Sequence, residues 1–128
     1  MNIEKIIEDN GTLVPIEFKD LPFTPMRIFY VTNVPKYDMR GDHAHYECKQ
    51  IVVCVVGKIL VTLFDGFNTN HHILMPGQTI FINKMIWDKY QFMTDESVML
   101  VICSNEYNKK DYIEDLKEFV NLTRGQTK

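Results

Sequence analysis

The chain has 128 residues, 45% hydrophobic and 24% charged, a balance that suits a globular domain whose core needs no disulfide or metal to fold. Its formal net charge of -3 provides no basic surface for nucleic acid and is too small to indicate a disordered acidic tail. The opening residues MNIEKIIEDN are acidic where a signal peptide needs an apolar run, and the apolar stretch at 51–56 is too short to span a bilayer. We therefore expect a single cytoplasmic domain over residues 1–128, with no membrane partner.

The three cysteines, Cys48, Cys54 and Cys103, are odd in number and show no CxxC spacing. This pattern indicates free thiols rather than a disulfide framework or a zinc knuckle.

Short runs rich in β-branched and aromatic residues, separated by turn signals, predict an antiparallel double sheet. Pro15 would place the first strand at a sheet edge. Gly57-Lys58 predicts a hairpin between two strands, and Asp65-Gly66 predicts a second turn. In chain order the predicted strands are residues 12–18, 26–31, 49–56, 59–64, 71–74, 79–82, 87–92 and 98–103.

The pattern changes near the C-terminus, where residues 110–122 space apolar side chains at helical intervals. Acidic residues occupy the first turns, where they favour a helix N-terminus. We expect one amphipathic helix against the outside of the sheets, with Tyr112 and Phe119 at the margins of its apolar face.

The segment RGDHAH, residues 40–45, carries the most informative pattern in the chain. Two histidines two positions apart on an extended chain point the same way, because strand side chains alternate. Ala44 faces the opposite side, and Gly41 permits an unusual backbone dihedral. Because a long buried strand follows, we expect His43 and His45 at its start, projecting together into a concave interior.

Three interpretations of this pair remain open from its spacing. The histidines are surface or internally satisfied side chains, or they are two ligands of a metal, since HxH on a strand is a common ligand pair. The third interpretation is acid–base catalysis on a bound substrate, for which an ordinary histidine pKa of about 6.5 is suitable.

The order of these features resembles the cupin pattern, in which HxH and a buried strand precede Gly57 and the turn Pro76-Gly77. Metal-binding cupins add a Glu shortly after HxH and a third His after the PG turn. Here Gln50 replaces the usual acidic ligand, and no histidine follows Pro76-Gly77. Two histidines alone hold a divalent metal poorly, so we expect no metal.

A closer resemblance is to the dTDP-4-keto-6-deoxyglucose 3,4-ketoisomerases, and it covers almost the whole chain. It implies an all-β cupin fold, a double-stranded β-helix or jelly-roll sandwich with a C-terminal α-helix. In one respect the chain departs from the family, whose members often have a His after the Trp where this chain has Asp88. The resemblance is carried by DNGTLVPIEFKDLPF, MRIFYV, RGDHAH, KQIVVCVVGK, PGQTIFINKMIW and SVMLVICSNEYNKKDYIEDLKEF.

The resemblance implies isomerisation of a dTDP-4-keto-6-deoxyhexose to its 3-keto isomer, in the biosynthesis of an unusual deoxy-amino sugar of a lipopolysaccharide or S-layer glycan. A base removes the C3 proton, which the C4 ketone acidifies, and a proton reaches C4 through an enediol. Neither step needs a cofactor if nearby donors stabilise the oxyanion. We expect His43 and His45 to carry these protons, with the assignment of base and acid left open, as is the stereochemistry at C4.

Five further residues are predicted to bind the substrate. Arg27 and Arg40 are the candidates for the diphosphate, since a guanidinium binds phosphate oxygens in a bidentate manner. Tyr30 would donate to a sugar or phosphate oxygen, and Trp87 would pack on the thymine or sugar. Gln50 would hydrogen-bond an imidazole or the substrate. Each also has a structural interpretation: a surface or turn-bracing arginine, or an aromatic side chain that only fills the core.

The resemblance also implies a homodimer with exchanged N-terminal strands, and the apolar opening segment would otherwise be an exposed edge. Two other functions stay open on the same fold. One is a nucleotide-sugar epimerase, which would use a tyrosine and a His-Asp pair that includes Asp42 or Asp88. The other is a non-catalytic sugar-binding cupin.

Overall fold

The computed structural model describes residues 3–125, which form antiparallel strands and one C-terminal helix. A four-stranded sheet has the order β3-β10-β5-β8, a five-stranded sheet has the order β11-β4-β9-β6-β7, and β1 and β2 form a separate pair. The two larger sheets are the layers of a cupin-type sandwich, as the sequence predicted. The strands are β1 (Ile6–Glu8), β2 (Gly11–Leu13), β3 (Arg27–Val31), β4 (Met39–His45), β5 (Gln50–Val56), β6 (Ile59–Phe64), β7 (Thr69–Leu74), β8 (Thr79–Ile82), β9 (Trp87–Phe92), β10 (Val98–Cys103) and β11 (Tyr112–Ile113), followed by α1 (Leu116–Thr123).

Most predicted strands are confirmed: β6, β8, β9 and β10 have the predicted bounds, and β3, β5 and β7 differ by one or two residues at their starts. The prediction of a strand over residues 12–18 is wrong. Only β2 (Gly11–Leu13) forms there, because Pro15 has no backbone N–H to donate, and a short 3₁₀ turn follows at Phe18–Asp20. No helix within residues 3–125 is long and apolar enough to cross a bilayer.

The predicted hairpin at Gly57-Lys58 is also wrong, since β5 and β6 belong to different sheets. Gly57 has a φ of +83°, and a Cβ there would collide with the Ser97 and Thr94 side chains. The backbone N–H of Lys58 donates to Ser97 Oγ at 3.1 Å. The turn therefore carries the chain from one layer to the other, a path that a local Gly-Lys signal does not distinguish from a hairpin.

The turn at Asp65-Gly66 does join two paired strands, β6 and β7. Asp65 Oδ1 accepts hydrogen bonds from the backbone N–H groups of Phe67 and Asn68, at 2.8 and 2.7 Å. This is the local side-chain bonding for which aspartate is favoured in turns.

The main core lies between the two sheets, where alternate side chains of facing strands meet. Val52, Cys54, Val61 and Phe92 are fully buried in this layer. The neighbouring side chains of β5 point to the outer face, where an N-terminal segment that includes Leu21 and Phe23 covers them. Both faces of β5 are covered, which explains its continuous apolar sequence.

The C-terminal helix is shorter than predicted and begins at Leu116 instead of residue 110. Asp115 is its N-cap, and its side chain accepts hydrogen bonds from the backbone N–H groups of Lys117 and Glu118. The residues before the cap extend the five-stranded sheet, with Tyr112 and Ile113 paired with His45 and Ala44. Tyr112 is therefore a strand residue next to a histidine and not part of the helix.

Candidate active site

The two histidines lie together at the end of β4, and not at the start of the next strand as the sequence analysis expected. Their rings are 5.1 Å apart between centroids and nearly perpendicular. Ala44 faces the other side of the sheet, into a cluster beneath α1, as alternation requires. His45 is buried (5% exposed), whereas the His43 side chain is 23% exposed and borders a cavity.

A β-bulge just before the histidines determines which side chains share this inner face. The pairing of β4 with β9 shifts between Gly41 and His43, so that Arg40 lies opposite Tyr90 and His43 lies opposite Asp88. Residues directly opposite in an antiparallel pair point to the same face. Arg40 and His43, three positions apart, consequently point to one side, which strict alternation would forbid.

The extra residue of the bulge, Asp42, has a φ of +69° and points away from the cavity. Its Oδ1 accepts a hydrogen bond of 2.9 Å from Nε1 of Trp87. This bond ties the bulge to the neighbouring strand and holds Asp42 in the left-handed region.

A cavity of about 340 Å³ opens beside His43, between the two sheets. The apolar part of its wall comes from Phe29, Val31, Met99 and Val101. Arg27, Arg40, Tyr30 and Gln50 border it as well, so the structure brings four of the five predicted binding residues to one place with His43.

The four residues differ in how they reach the cavity. The guanidinium of Arg27 lies 4.7 Å from the Phe29 ring and 5.2 Å from the Tyr107 ring, measured to the centroids. Gln50 is buried, and its Oε1 has no hydrogen-bond partner among the described atoms, so this acceptor is free for a ligand. Tyr30 is 70% exposed, and alternation along β3 points its side chain to the outer face of the sheet, although its strand borders the cavity.

The expectation that Trp87 faces the cavity is wrong. Trp87 and Asp88 are neighbours on β9, so their side chains point to opposite faces, and Asp88 takes the inner one. Trp87 packs instead against Ala44 and against Phe119 of α1, with a distance of 5.6 Å between the ring centroids. Trp87 therefore stabilises the packing of α1 on the outer face of the sheet.

Tyr112 is a site residue that the sequence analysis missed. Its ring lies 5.0 Å from that of His43 and 4.5 Å from that of His45, between centroids, and it lines the cavity. Burial raises the pKa of its hydroxyl, which therefore stays protonated at neutral pH and able to donate. The available signal was Asn108, a residue that favours turns, just before the predicted start of the helix at residue 110. Its side chain accepts a hydrogen bond from the backbone N–H of Lys110 in a short 3₁₀ turn.

Burial lowers the pKa of both histidines. For His43 the nearby Glu114 and Asp42 partly offset this effect. For His45 the neighbouring His43 adds to it, and the pKa falls to about 4. Both imidazoles are therefore neutral at pH 7, the form in which a histidine accepts a proton.

Asp88 is fully buried next to this pair. Its Oδ1 lies 3.7 Å from Nε2 of His43, and neither carboxyl oxygen has a hydrogen bond of ordinary geometry among the described atoms. Burial raises the pKa of Asp88 to about 8, an effect that the nearby Tyr90 hydroxyl reduces and Asp42 increases.

His43, His45 and Asp88 offer three donor atoms within 4.8 Å of one another. The measured 3.7 Å between His43 and Asp88 is longer than the roughly 3.4 Å between ligands about 2.1 Å from a tetrahedral ion. These donors do not have the geometry of a formed metal centre, and the absence of a metal cofactor stays a prediction.

A larger hollow, of about 710 Å³, lies at the opposite sheet edges and is bordered by His71 and His72. Both histidines are exposed on β7, and His71 Nδ1 is 3.0 Å from Thr62 Oγ1. No arginine borders this hollow among the described residues, so it lacks the combination of imidazole and guanidinium found beside His43.

The chain is similar to known proteins over nearly its full length. The model of the family described as FdtA (WxcM-like, C-terminal) matches residues 1–124. A TDP-4-oxo-6-deoxy-alpha-D-glucose-3,4-oxoisomerase from Aneurinibacillus thermoaerophilus is 33% identical over 122 residues, covering 93% of this chain and 87% of the relative.

Two solved structures extend the similarity to the fold. A 3,4-ketoisomerase from Helicobacter canadensis is 31% identical with a TM-score of 0.90, covering 96% of this chain and 94% of the other. The sugar 3,4-ketoisomerase QdtA from Thermoanaerobacterium thermosaccharolyticum, in complex with TDP, is 28% identical with a TM-score of 0.92, covering 99% and 94%.

Proposed function

This chain belongs to the FdtA family (WxcM-like, C-terminal), and on that premise we propose that it isomerises a dTDP-4-keto-6-deoxyhexose to the 3-keto isomer. Relatives that match it over nearly its full length are named as 3,4-oxoisomerases or 3,4-ketoisomerases of such sugars. The single observation that carries the mechanism is a pair of neighbouring neutral imidazoles, of which His43 lines a cavity between the sheets and His45 is buried next to it, with 5.1 Å between the ring centroids.

The reaction removes protons from C3 and O3 of the sugar and adds protons at C4 and O4. A neutral imidazole takes the proton from C3, and the electrons of the C–H bond form an enediolate with the C4 ketone oxygen. Transfer of the O3 proton to O4 and protonation at C4 then give the 3-keto sugar. His43 is the more exposed imidazole and is our candidate for the base, while His45 and the Tyr112 hydroxyl lie close enough to serve as donors.

The charged substrate has matching partners at the cavity. Arg27 and Arg40 supply guanidinium groups on two sides, and both are suited to the oxygens of a diphosphate. Gln50 offers its buried Oε1, which has no hydrogen-bond partner among the described atoms, to a sugar hydroxyl. Tyr30 is left out because its side chain lies on the outer face of β3. Trp87 has no part in this proposal because its ring lies on the other face of the sheet.

The test is incubation with dTDP-4-keto-6-deoxyglucose in deuterated water. We expect a 3-keto product that carries deuterium, and His43→Asn should lower kcat by roughly a hundredfold, the usual scale of an acid–base group. His72→Asn, which changes an exposed histidine on β7, is the matched control and should leave kcat unchanged. Full activity of His43→Asn would remove His43 from the mechanism.

A second function, epimerisation, is favoured by one observation. His43 and Asp88 lie 3.7 Å apart with the Tyr112 ring beside them, which is the His-Asp pair and tyrosine expected of an epimerase. The same incubation separates the two functions. Inversion at C3 or C5 without a 3-keto product would favour the epimerase, and no exchange at all would favour a sugar-binding protein.

We further propose that the chain acts as a homodimer that exchanges its N-terminal strands. Support comes from the hairpin β1–β2, which pairs with neither large sheet and leaves Ile7 80% exposed. On the outer face of β3, Ile28 is 51% and Tyr30 is 70% exposed. A second copy would cover these apolar surfaces. A cytoplasmic location and a single domain over residues 1–128 stay predictions.

A further inference from the structure

Asp88 is a fully buried carboxyl that is faced by the Tyr90 hydroxyl of its own strand and by the His43 imidazole. It is 0% exposed, and both of its carboxyl oxygens lack a partner of ordinary geometry among the described atoms. A buried carboxyl without well-formed hydrogen bonds destabilises the folded protein, so such a group needs a physical reason to persist. Trp87, the neighbour of Asp88 on β9, packs on the opposite face of the sheet. Its packing therefore does not explain why a carboxyl is buried on the inner face.

The surroundings of Asp88 direct its carboxyl towards His43. Gly41 lies directly over it, and a Cβ at Gly41 would be 2.9 Å from Asp88 Oδ1. The space left by this missing Cβ lies beside the imidazole of His43, whose Nε2 is 3.7 Å from the same oxygen. A movement of less than about 1 Å would bring the two atoms to hydrogen-bond distance.

The other charged and titratable groups around the pair do not replace this contact. From β9 itself the Tyr90 hydroxyl faces Asp88, and from β4 the Asp42 carboxyl acts on both members of the pair. Glu114, after β11, acts on His43. None of these groups is a cation. The His45 imidazole also lies within 4.8 Å of Asp88, but its pKa of about 4 keeps it neutral. The imidazole of His43 is therefore the neighbour able to neutralise an ionised Asp88.

Building on the proposed function, we propose that Asp88 is a positioning residue that shares one proton with His43 and stabilises the imidazolium formed when His43 takes the C3 proton. Asp88 does not border the cavity, so it acts through the imidazole and not on the sugar. The bond between C3 and its hydrogen breaks, the N–H bond of the imidazolium forms, and the carboxylate provides the compensating charge. The imidazole becomes neutral again when it gives this proton to C4, or to water if another group protonates C4.

The direction of the pH effect follows from burial. Burial holds Asp88 protonated up to a pKa of about 8, and it keeps His43 neutral at lower pH than usual. Below about pH 8 the pair is a carboxylic acid beside a neutral imidazole. Above it the carboxylate is ready to balance an imidazolium, so kcat should rise with pH through this region.

The first experiment is an NMR titration of the histidine ring nitrogens, which needs no activity. We expect the His43 signal, assigned by its loss in His43→Asn, to show an inflection near pH 8 that disappears in Asp88→Asn. Asp42→Asn is the matched control and should keep the inflection, since the amide oxygen of asparagine can still accept the Trp87 hydrogen bond. An inflection that persists in Asp88→Asn overturns the proposal, as does its absence from the unmodified protein.

Two further measurements cover the cases in which a variant does not fold or a metal ion is bound. If Asp88→Asn does not fold, the carboxyl carbon of Asp88 in the unmodified protein should titrate with the same midpoint as the His43 signal, and different midpoints contradict the proposal. The titration is repeated with EDTA, and curves that EDTA changes would mean that the three donor groups hold a metal ion instead of sharing a proton.

Kinetics then separate this inference from the proposed function. Asp88→Asn should match the unmodified enzyme below about pH 6 and fall tenfold or more behind it near about pH 9, with KM unchanged. A uniform loss at every pH would indicate a merely structural residue. If neither protein isomerises the sugar, the proposed function fails while the NMR result still decides whether the proton is shared.

Discussion

At the scale of single residues, Gly41 shows how closely the site is built. Its φ of +83° favours glycine, and a Cβ there would also lie 2.9 Å from both the Asp88 carboxyl and the Tyr90 ring. Any larger residue would therefore strain the backbone and displace the carboxyl that faces His43. The glycine of RGDHAH supplies the space in which the buried acid and the imidazole meet.

The burial of His45 predicts a pH dependence of stability. Its pKa is about 4 in the folded protein and about 6.5 when unfolded, so below about pH 6.5 the unfolded chain binds a proton that the folded chain does not. His45 should therefore lower the free energy of unfolding by up to about 2 kcal/mol as the pH falls from about 7 to about 5. The raised pKa of Asp88 acts in the opposite direction, because over this range the folded chain holds a proton that the unfolded chain lacks. Urea unfolding of the unmodified protein and of His45→Asn at both pH values measures the loss due to His45 as the difference between the two proteins.

His45→Asn should remove most of this loss, whatever its effect on absolute stability. His72→Asn is the control, because that exposed side chain on β7 is not buried in the fold. An equal loss in His45→Asn and the unmodified protein would contradict the assignment of the acid sensitivity to His45.

At the scale of elements, the site depends on β4 and on what supports it from outside. The bulge at Asp42 turns Arg40 to the same face as His43, and β11 adds Tyr112 beside His45. Behind them α1 covers Ala44 and Trp87. The helix therefore supports the face of the sheet opposite the histidines.

This arrangement predicts unequal effects of two truncations in α1. Phe119 is fully buried and contacts the rings of Trp87 and Phe64, so Phe119→Ala should lower the free energy of unfolding by about 3–5 kcal/mol. Leu116 is 47% exposed at the first turn of the same helix, and Leu116→Ala should cost less than about 1 kcal/mol. Chemical denaturation measures both, and similar losses would contradict this account of the helix.

At the scale of the whole molecule, each of the two sheets contributes different residues to the site. The five-stranded sheet supplies His43, His45 and Arg40, while the four-stranded sheet supplies Arg27 and Gln50. The cavity exists only because the sheets face each other across the core. The outer face of β3, in contrast, is only partly covered in the single chain, which is why we propose a second copy there.

A charge on that face tests the dimer. We expect the unmodified protein to have twice the 15.1 kDa chain mass by light scattering after size exclusion, and Ile28→Glu to be a folded monomer, because Glu is costly to bury in an apolar interface. Phe67→Glu changes a similarly exposed residue, 63% against 51%, at the β6–β7 turn and should leave the dimer intact. A dimeric Ile28→Glu would place the interface elsewhere.

Local patterns along the chain were enough to predict several of the strands. Alternating apolar residues gave β6, β8, β9 and β10 their bounds, and the HxH spacing put both imidazoles on one face because strand side chains have a period of two. The same local signals failed at Gly57, where a turn between layers resembles a hairpin, and at Tyr112, where sheet pairing with β4 overrides a helical pattern.

Which residues lie together at the site depends on the pairing between strands, which the sequence does not show. Strict alternation would put the side chains of Arg40 and His43 on opposite faces of the sheet. The bulge puts them on the same face, because it inserts one extra residue of β4 against β9. On β9 it is Asp88 that points inward and Trp87 that points outward. The register of β9 with β4 and β6 determines which of these two neighbours faces the core. A chain sequence specifies alternation, but the phase of that alternation is set by pairing between strands distant in sequence.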